Sequence, residues 1–225
     1  MKIALFLFLA CLLLSFTIDR PEVFVVGDSI SIQYGPYLEK YLEGNASYDR
    51  KNDAPGQKAE ANLDYPTGAN GGDSQMVLAY LKTKVAEPDF RPDVLLLNCG
   101  LHDIKFDPKT KTHQVDSVSY RQNLHAIYAL LKKHTVPIVW VRSTAVVDSI
   151  HNSRSTTFHR HAMDLEAYNR IADEVWRVHR VPIIDLYKFT INLPGNNYID
   201  HVHYNENTRS LQAAYIAGCI NHYFN

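Results

Sequence analysis

Val23-Phe24-Val25-Val26-Gly27-Asp28-Ser29-Ile30-Ser31 is an apolar, β-branched run that stops at a Gly-Asp-Ser corner. A continuous apolar run without alternation has the composition of a strand covered on both faces, as in a parallel sheet. A serine just past the end of such a strand sits where an open α/β sheet forms its ligand crevice, which makes Ser29 a candidate nucleophile. The same Asp28-Ser29 pair also suits the cap of a following helix, since Asp and Ser are favoured there.

A second cluster lies near the C-terminus: Asp200-His201-Val202-His203, followed by polar Tyr204-Asn205-Glu206-Asn207 and a last helix. A serine hydroxyl is a weak nucleophile at neutral pH and needs a base within hydrogen-bond reach, itself oriented by a third group. An Asp three residues before a His in one tight loop supplies both. Paired with the Gly-Asp-Ser corner, the combination is far more specific than either half.

These blocks resemble the SGNH hydrolases, the GDSL family of esterases and lipases. Gly27-Asp28-Ser29 is similar to the family's first block, which implies Ser29 as nucleophile with its backbone N–H as an oxyanion donor. Asp200-His201-Val202-His203 is similar to the last block and implies His203 as base and Asp200 as its orienter. Gly71-Gly72-Asp73-Ser74 resembles the second block, whose glycine gives another N–H to the oxyanion; Gly72 is the better match and Gly71 the alternative. The third block reads Gly-x-Asn-Asp in the family and Gly100-Leu101-His102-Asp103 here. The resemblance thus assigns the side-chain oxyanion donor to His102, whose protonation is pH-sensitive in a way an amide is not. Asp28, Asp103, Arg142 and His201 are further candidates for substrate contact. All four blocks occur in the family's order, and the implied fold is a flavodoxin-like three-layer α/β sandwich.

The rest of the chain fits that frame. With 225 residues, 46% of them hydrophobic, it is long enough for one α/β domain with a full core, assigned to residues 21–225. A net charge of -1 and the absence of a long basic run exclude an electrostatic footprint for nucleic acid or an anionic membrane surface. Met1-Lys2 followed by apolar residues to Phe16 reads as a secretory signal within residues 1–20, not as a membrane span. Cys11 offers a lipid-anchored alternative, against which the continuing Leu12-Leu13-Leu14 argues. Cys99 and Cys219, on a core strand and an apolar helix face, are expected to be free thiols.

Residues 34–42 read as a short helix with Pro36 in its first turn. Residues 44–68 read as loop with a short strand near Ala46-Tyr48, and a helix follows from Ser74. Strands are expected at 93–99, 137–141 and 181–185, giving a parallel sheet of about five strands with helices on both faces. The helical stripes are Leu124, Ile127, Tyr128 and Leu131; Leu165, Tyr168, Ala172 and Val175; and Leu211, Ala214, Tyr215 and Gly218, all expected in the core. Two long connections, 104–117 and 143–164, leave strand C-terminal ends and should shape substrate choice; the second carries Arg154, His159, Arg160 and His161. His159, His161, His201 and His203 complete no recognisable metal pattern, so neither metal nor cofactor is expected.

The activity these readings imply is an exported serine esterase that removes O-acetyl groups from carbohydrate through an acyl-enzyme, acting on a small-molecule or polysaccharide ester. A lipid esterase or lysophospholipase is the alternative among enzymes. A catalytically inactive glycan-binding module is the alternative from another class.

Overall fold

The computed structural model describes residues 20–53, 59, 63, 65–154 and 157–224, with the Arg154 side chain excluded. Residues 1–19 of the segment read as an export signal, including Cys11, lie outside the described residues. In chain order the elements are β1 (Glu22–Val26), α1 (Ser29–Leu42), β2 (Ser47–Arg50), α2 (Ser74–Lys84), β3 (Val94–Leu97), β4 (Phe106–Asp107), β5 (Thr112–His113), α3 (Ser117–Lys133), β6 (Ile138–Val141), α4 (Asp148–Arg154), α5 (Ala162–Val178), β7 (Ile183–Ile184), α6 (Leu186–Ile191) and α7 (Glu206–Phe224).

The expected parallel sheet is present, five-stranded in the order β2-β1-β3-β6-β7. Strand β1 pairs with β3 from Val23↔Val94 to Val26↔Leu97, and these eight side chains are buried. Each buried Val, Leu or Phe of this kind contributes roughly 1.5–3 kcal/mol of hydrophobic stabilisation. The chain leaves β1 in one direction to reach β2, then crosses back over β1 to β3 and continues to β6 and β7. Right-handed crossovers running in opposite directions put their helices on opposite faces. Accordingly α1 packs on α7, which also meets α6, while α2 packs on α3 and α3 on α5. The reversal occurs between β1 and β3, and a crevice opens at the carboxyl ends of strands flanking such a reversal.

Three local expectations change. Helix α1 starts at Ser29, not near residue 34, because the Asp28 carboxylate caps it by accepting the Ile30 N–H at 2.9 Å. Pro36 therefore falls in the helix interior, on an exposed position. On α7 the buried residues are Thr208, Gln212, Ala213, Ile216, Ala217 and Ile220, one step round from the expected stripe, and Leu211 is 38% exposed. The long connections also carry structure of their own: β4 and β5 form an antiparallel hairpin, and α4 lies in the second connection. Cys99 and Cys219 are free thiols, and no described helix is long and apolar enough to cross a membrane.

Pro36 has no N–H to offer the Ile32 carbonyl, a defect that costs a helix interior up to about 3 kcal/mol, partly offset by the stiffer unfolded chain. Pro36→Ala is expected to stabilise the protein by about 1 kcal/mol or more, raising the thermal midpoint by roughly 2–4 °C. A melting curve of the variant checks this, with an unchanged or lower midpoint as the contrary result.

Candidate active site

The N-cap places Ser29 as the first residue of α1, where its backbone N–H has no acceptor within the helix. Its hydroxyl meets His203: Ser29 Oγ lies 3.0 Å from His203 Nε2, and both residues are buried. On the far side of the ring, His203 Nδ1 lies 2.7 Å from Asp200 Oδ2. The other oxygen, Asp200 Oδ1, accepts the backbone N–H groups of Val202 at 2.8 Å and His203 at 2.7 Å. Burial works against this charge, but the bonds from the His203 side chain and backbone and from Val202 outweigh it and hold the carboxyl well below the usual range. A fixed anion on Nδ1 keeps the proton there and leaves Nε2 free to take one from a hydroxyl. His201 faces elsewhere, its Nδ1 3.8 Å from Asp200 Oδ1 and its ring against His151 at 4.2 Å between centroids.

Other bonds lock this loop to the sheet edge. The His201 carbonyl accepts the Val147 N–H at 2.9 Å, and Tyr204 Oη donates to the Ala145 carbonyl at 3.3 Å. Ser31 Oγ donates to the Asp28 carbonyl at 2.7 Å, and Arg50 Nη2 reaches both Ser31 Oγ and the Ala69 carbonyl at 3.2 Å. Strand β2 thereby holds the first turn of α1 and the approach to the second block.

Ser29 and His203 open on a cavity of about 710 Å³, whose wall includes His102, Lys105, His151, Phe158, Arg160 and His201. His102 is 5% exposed, and burial, with Lys105 and Arg160 nearby, pushes its pKa well below the ordinary value. It is therefore a neutral imidazole near pH 7 and carries one N–H donor.

The sequence pattern of the GDSL-like lipase/acylhydrolase family matches residues 25–208. The chain belongs to this family. No curated protein sequence matches it. Among solved structures, a lipase/acylhydrolase from Enterococcus faecalis shares 16% identity at a TM-score of 0.67, covering 91% of this chain and 97% of its own. An acetyl xylan esterase shares 16% identity at a TM-score of 0.64, covering 88% of this chain and 99% of its own. A carbohydrate acetylesterase from Sinorhizobium meliloti shares 10% identity at a TM-score of 0.63, covering 91% of this chain and all of its own, 100%. At such identities these likenesses concern the fold.

Within this GDSL-type frame, three residues expected to touch substrate do not line the cavity. Asp28 is 2% exposed, its carboxylate turned to the α1 cap, and burial raises its pKa. Asp103 is fully buried, with Oδ1 accepting the Ser74 N–H at 2.9 Å, so it joins the third block to the start of α2. Arg142 is held by Asp185 at 2.9 Å and Asp173 at 3.3 Å, over the Tyr187 ring. In each case a nearby backbone amide or opposite charge captures the side chain. His201 does line the cavity.

The second block also departs from expectation. The Gly72 N–H donates to Asn70 Oδ1 at 3.0 Å, and the Gly71 N–H to the Gly27 carbonyl at 2.8 Å. An Asn accepting from the amide two residues on is an Asx-turn, and here it occupies the donor that the resemblance reserves for the oxyanion. Gly72 has φ +73°, and a Cβ there would stand 2.7 Å from Pro66 Cβ, so the position accepts only glycine.

Of the loop residues, Arg160 reaches the cavity, whereas His159 pairs through its backbone with Phe106 and His161 packs on the Phe106 ring. Lys105, His151 and Phe158 were not singled out from the sequence; the position of Lys105 just past the third block is the only signal that could have marked one of them.

Burial pushes Asp103 up to about 7 from an ordinary 3.8. A group protonated in the fold but not in the unfolded chain stabilises fully below about pH 4, and that stability is lost as pH rises through about 7. Asp103→Asn keeps an acceptor for Ser74 and has no proton to lose. Chemical denaturation of both proteins at pH 5 and pH 8 is expected to show the wild type losing more stability, by an amount on the order of a kcal/mol or more. Parallel losses would place the burden of that pH range on other groups.

Proposed function

We propose that this GDSL-type hydrolase is an exported serine esterase that removes O-acetyl groups from carbohydrate. The observation that carries the reading is the hydrogen-bonded series Asp200–His203–Ser29, with spacings of 2.7 and 3.0 Å, open to the cavity. Ser29 Oγ attacks the ester carbonyl while His203 Nε2 takes its proton, and the tetrahedral intermediate expels the sugar alcohol, which receives that proton. Water then attacks the acetyl-serine by the same route and releases acetate. The negative charge on the carbonyl oxygen is met by the Ser29 N–H and by an N–H of neutral His102, standing where the family has asparagine. The Gly72 amide joins them only by exchanging Asn70 Oδ1 for the oxyanion.

Support for a sugar comes from the wall of the cavity, where Lys105, Arg160 and four histidines stand among the aromatic rings of Tyr65 and Phe158 and the aliphatic Leu63, Pro66, Leu101 and Val202. A long acyl chain would desolvate those polar groups without compensation. The neighbours described as an acetyl xylan esterase and a carbohydrate acetylesterase agree with the reading. Export rests on the apolar N-terminal segment, Ile3 to Phe16, following Lys2.

Ser29→Ala and His203→Ala are each expected to lower acetate release from acetylated xylan and from a chromogenic acetate by about three powers of ten or more. His201→Ala is expected to keep most of the activity; if it were dead and His203→Ala active, the base would have to be reassigned.

For the oxyanion, His102→Ala is expected to reduce kcat about 100-fold with little change in KM, because the oxyanion exists only beyond the ground state. His102→Asn is expected to recover much of that loss. Small and equal effects of the two substitutions on a single acetyl ester would remove His102 from the mechanism.

A further inference from the structure

His102 has to be held as well as present, and the bonds that hold it come from the segment before α5. Arg160 Nε donates to the Leu101 carbonyl at 2.7 Å, on the peptide unit that leads directly into His102. On the other side, Phe106 and His159 exchange both backbone bonds, N–H to carbonyl, at 2.8 and 2.7 Å. The third-block loop is thus clamped before and after His102 by consecutive residues of one segment. That segment is fixed in turn, since the Arg160 N–H donates to Asn152 Oδ1 of α4 at 3.0 Å.

Arg160 is well suited to this position. It is 7% exposed, it lines the cavity, and its guanidinium lies 5.0 Å from the Phe158 ring centre. A planar guanidinium can donate through Nε to a carbonyl while its charge remains on a ring face, which a flexible ammonium cannot reproduce.

We infer that Arg160 is a positioning residue for the proposed hydrolysis: through the Leu101 carbonyl it fixes the peptide that carries His102, so that the imidazole N–H meets the developing oxyanion. Its charge has a second effect. The charged and titratable groups around His102 are Asp103 and Lys105 on the same loop, with Arg160 on the clamping segment, His151 on α4, and Asp200, His201 and His203 on the last loop lining the same cavity. Burial comes first in keeping His102 neutral, with Lys105 and Arg160 adding to it. The inference rests on the oxyanion role given to His102 above.

The test is a double-mutant cycle on one acetyl ester, with Arg160→Met in the wild-type and in the His102→Ala background. A residue that acts through His102 lowers kcat when the imidazole is there to be positioned and costs little once it is gone. The expected result is a loss in kcat of about tenfold in the wild-type background, with KM changed less than about threefold, and a loss below about twofold in the His102→Ala background. Equal losses in both backgrounds would mean that Arg160 merely supports the fold, and would overturn the proposal. Arg160→Lys, which keeps the charge but not the Nε geometry, is expected to show the same non-additivity; additive losses there overturn it as well, even if Arg160→Met folds poorly. An NMR titration of His102 supplies a readout independent of turnover, with the imidazole pKa rising in Arg160→Met. A wild type inactive on every acetyl ester would sink the functional reading, whereas additive losses in an active enzyme would sink only the role of Arg160.

Discussion

The Asp28 carboxylate, buried at the end of β1, accepts the Ile30 N–H and so turns the chain from strand to helix between one residue and the next. Almost everything at the site depends on that turn. It converts the last buried position of the central strand into the first turn of α1, and it leaves the Ser29 N–H without a helical partner at the crevice. The same geometry excludes Asp28 from substrate contact, because a carboxylate engaged with the helix amides points into the protein. Burying this charge is unfavourable, as the raised pKa indicates, and the Ile30 bond together with the field of Arg160 offsets part of that cost. The corner costs free energy and is retained where it positions a hydroxyl.

His203 reaches Ser29 across a separation of 174 residues, and no local interaction brings the two together. What does is the packing of α7 on α1, which fixes the loop before α7 over the start of α1. Tyr37 and Tyr41 of α1 add hydrogen bonds to Glu206 at 2.8 Å and to Ser210 at 2.6 Å on α7. The core of the domain therefore sets the distance between the Ser29 hydroxyl and the His203 imidazole. A substitution that shifted α7 by an ångström would alter that spacing, and with it the proposed chemistry, without touching either side chain.

The parts legible in the sequence were those written as continuous patterns. The runs at 23–26, 94–97 and 138–141 are apolar without interruption because both faces of each central strand are covered, and that signal needs no partner to be read. That Ser29, Asp200 and His203 come together was legible because two uncommon local motifs had to make sense together. What was not legible depended on a third party. Ile30-Ser31-Ile32-Gln33 carries no helical pattern of its own; the Asp28 cap starts the helix there, and all four residues are buried. In α7, apolar and small residues surround the axis, so periodicity cannot select a face. The inner face includes Gln212, whose amide finds Thr190 Oγ1 at 3.1 Å. Asn70 turning back on the Gly72 amide, Asp103 on Ser74 and Arg142 on Asp185 are captures by neighbours distant in sequence or invisible to composition.

Those captures have a common consequence for the chemistry. Polar groups next to the motifs are engaged with backbone or with one another, and the groups left facing the cavity are mostly imidazoles and cations. Burial above all lowers the pKa of His102 and of His151, the latter to about 4, and nearby cations add to it, Lys105 and Arg160 at His102 and Arg160 at His151. His203 has Asp200 bonded to its Nδ1, and among the described residues Asp200 is the one carboxylate that lines the cavity. That carboxylate fixes a proton on Nδ1 and leaves Nε2, 3.0 Å from the Ser29 hydroxyl, as the free nitrogen that the proposed base requires. In the proposed mechanism the base is therefore selected by the position of that charge and not by the identity of the side chain.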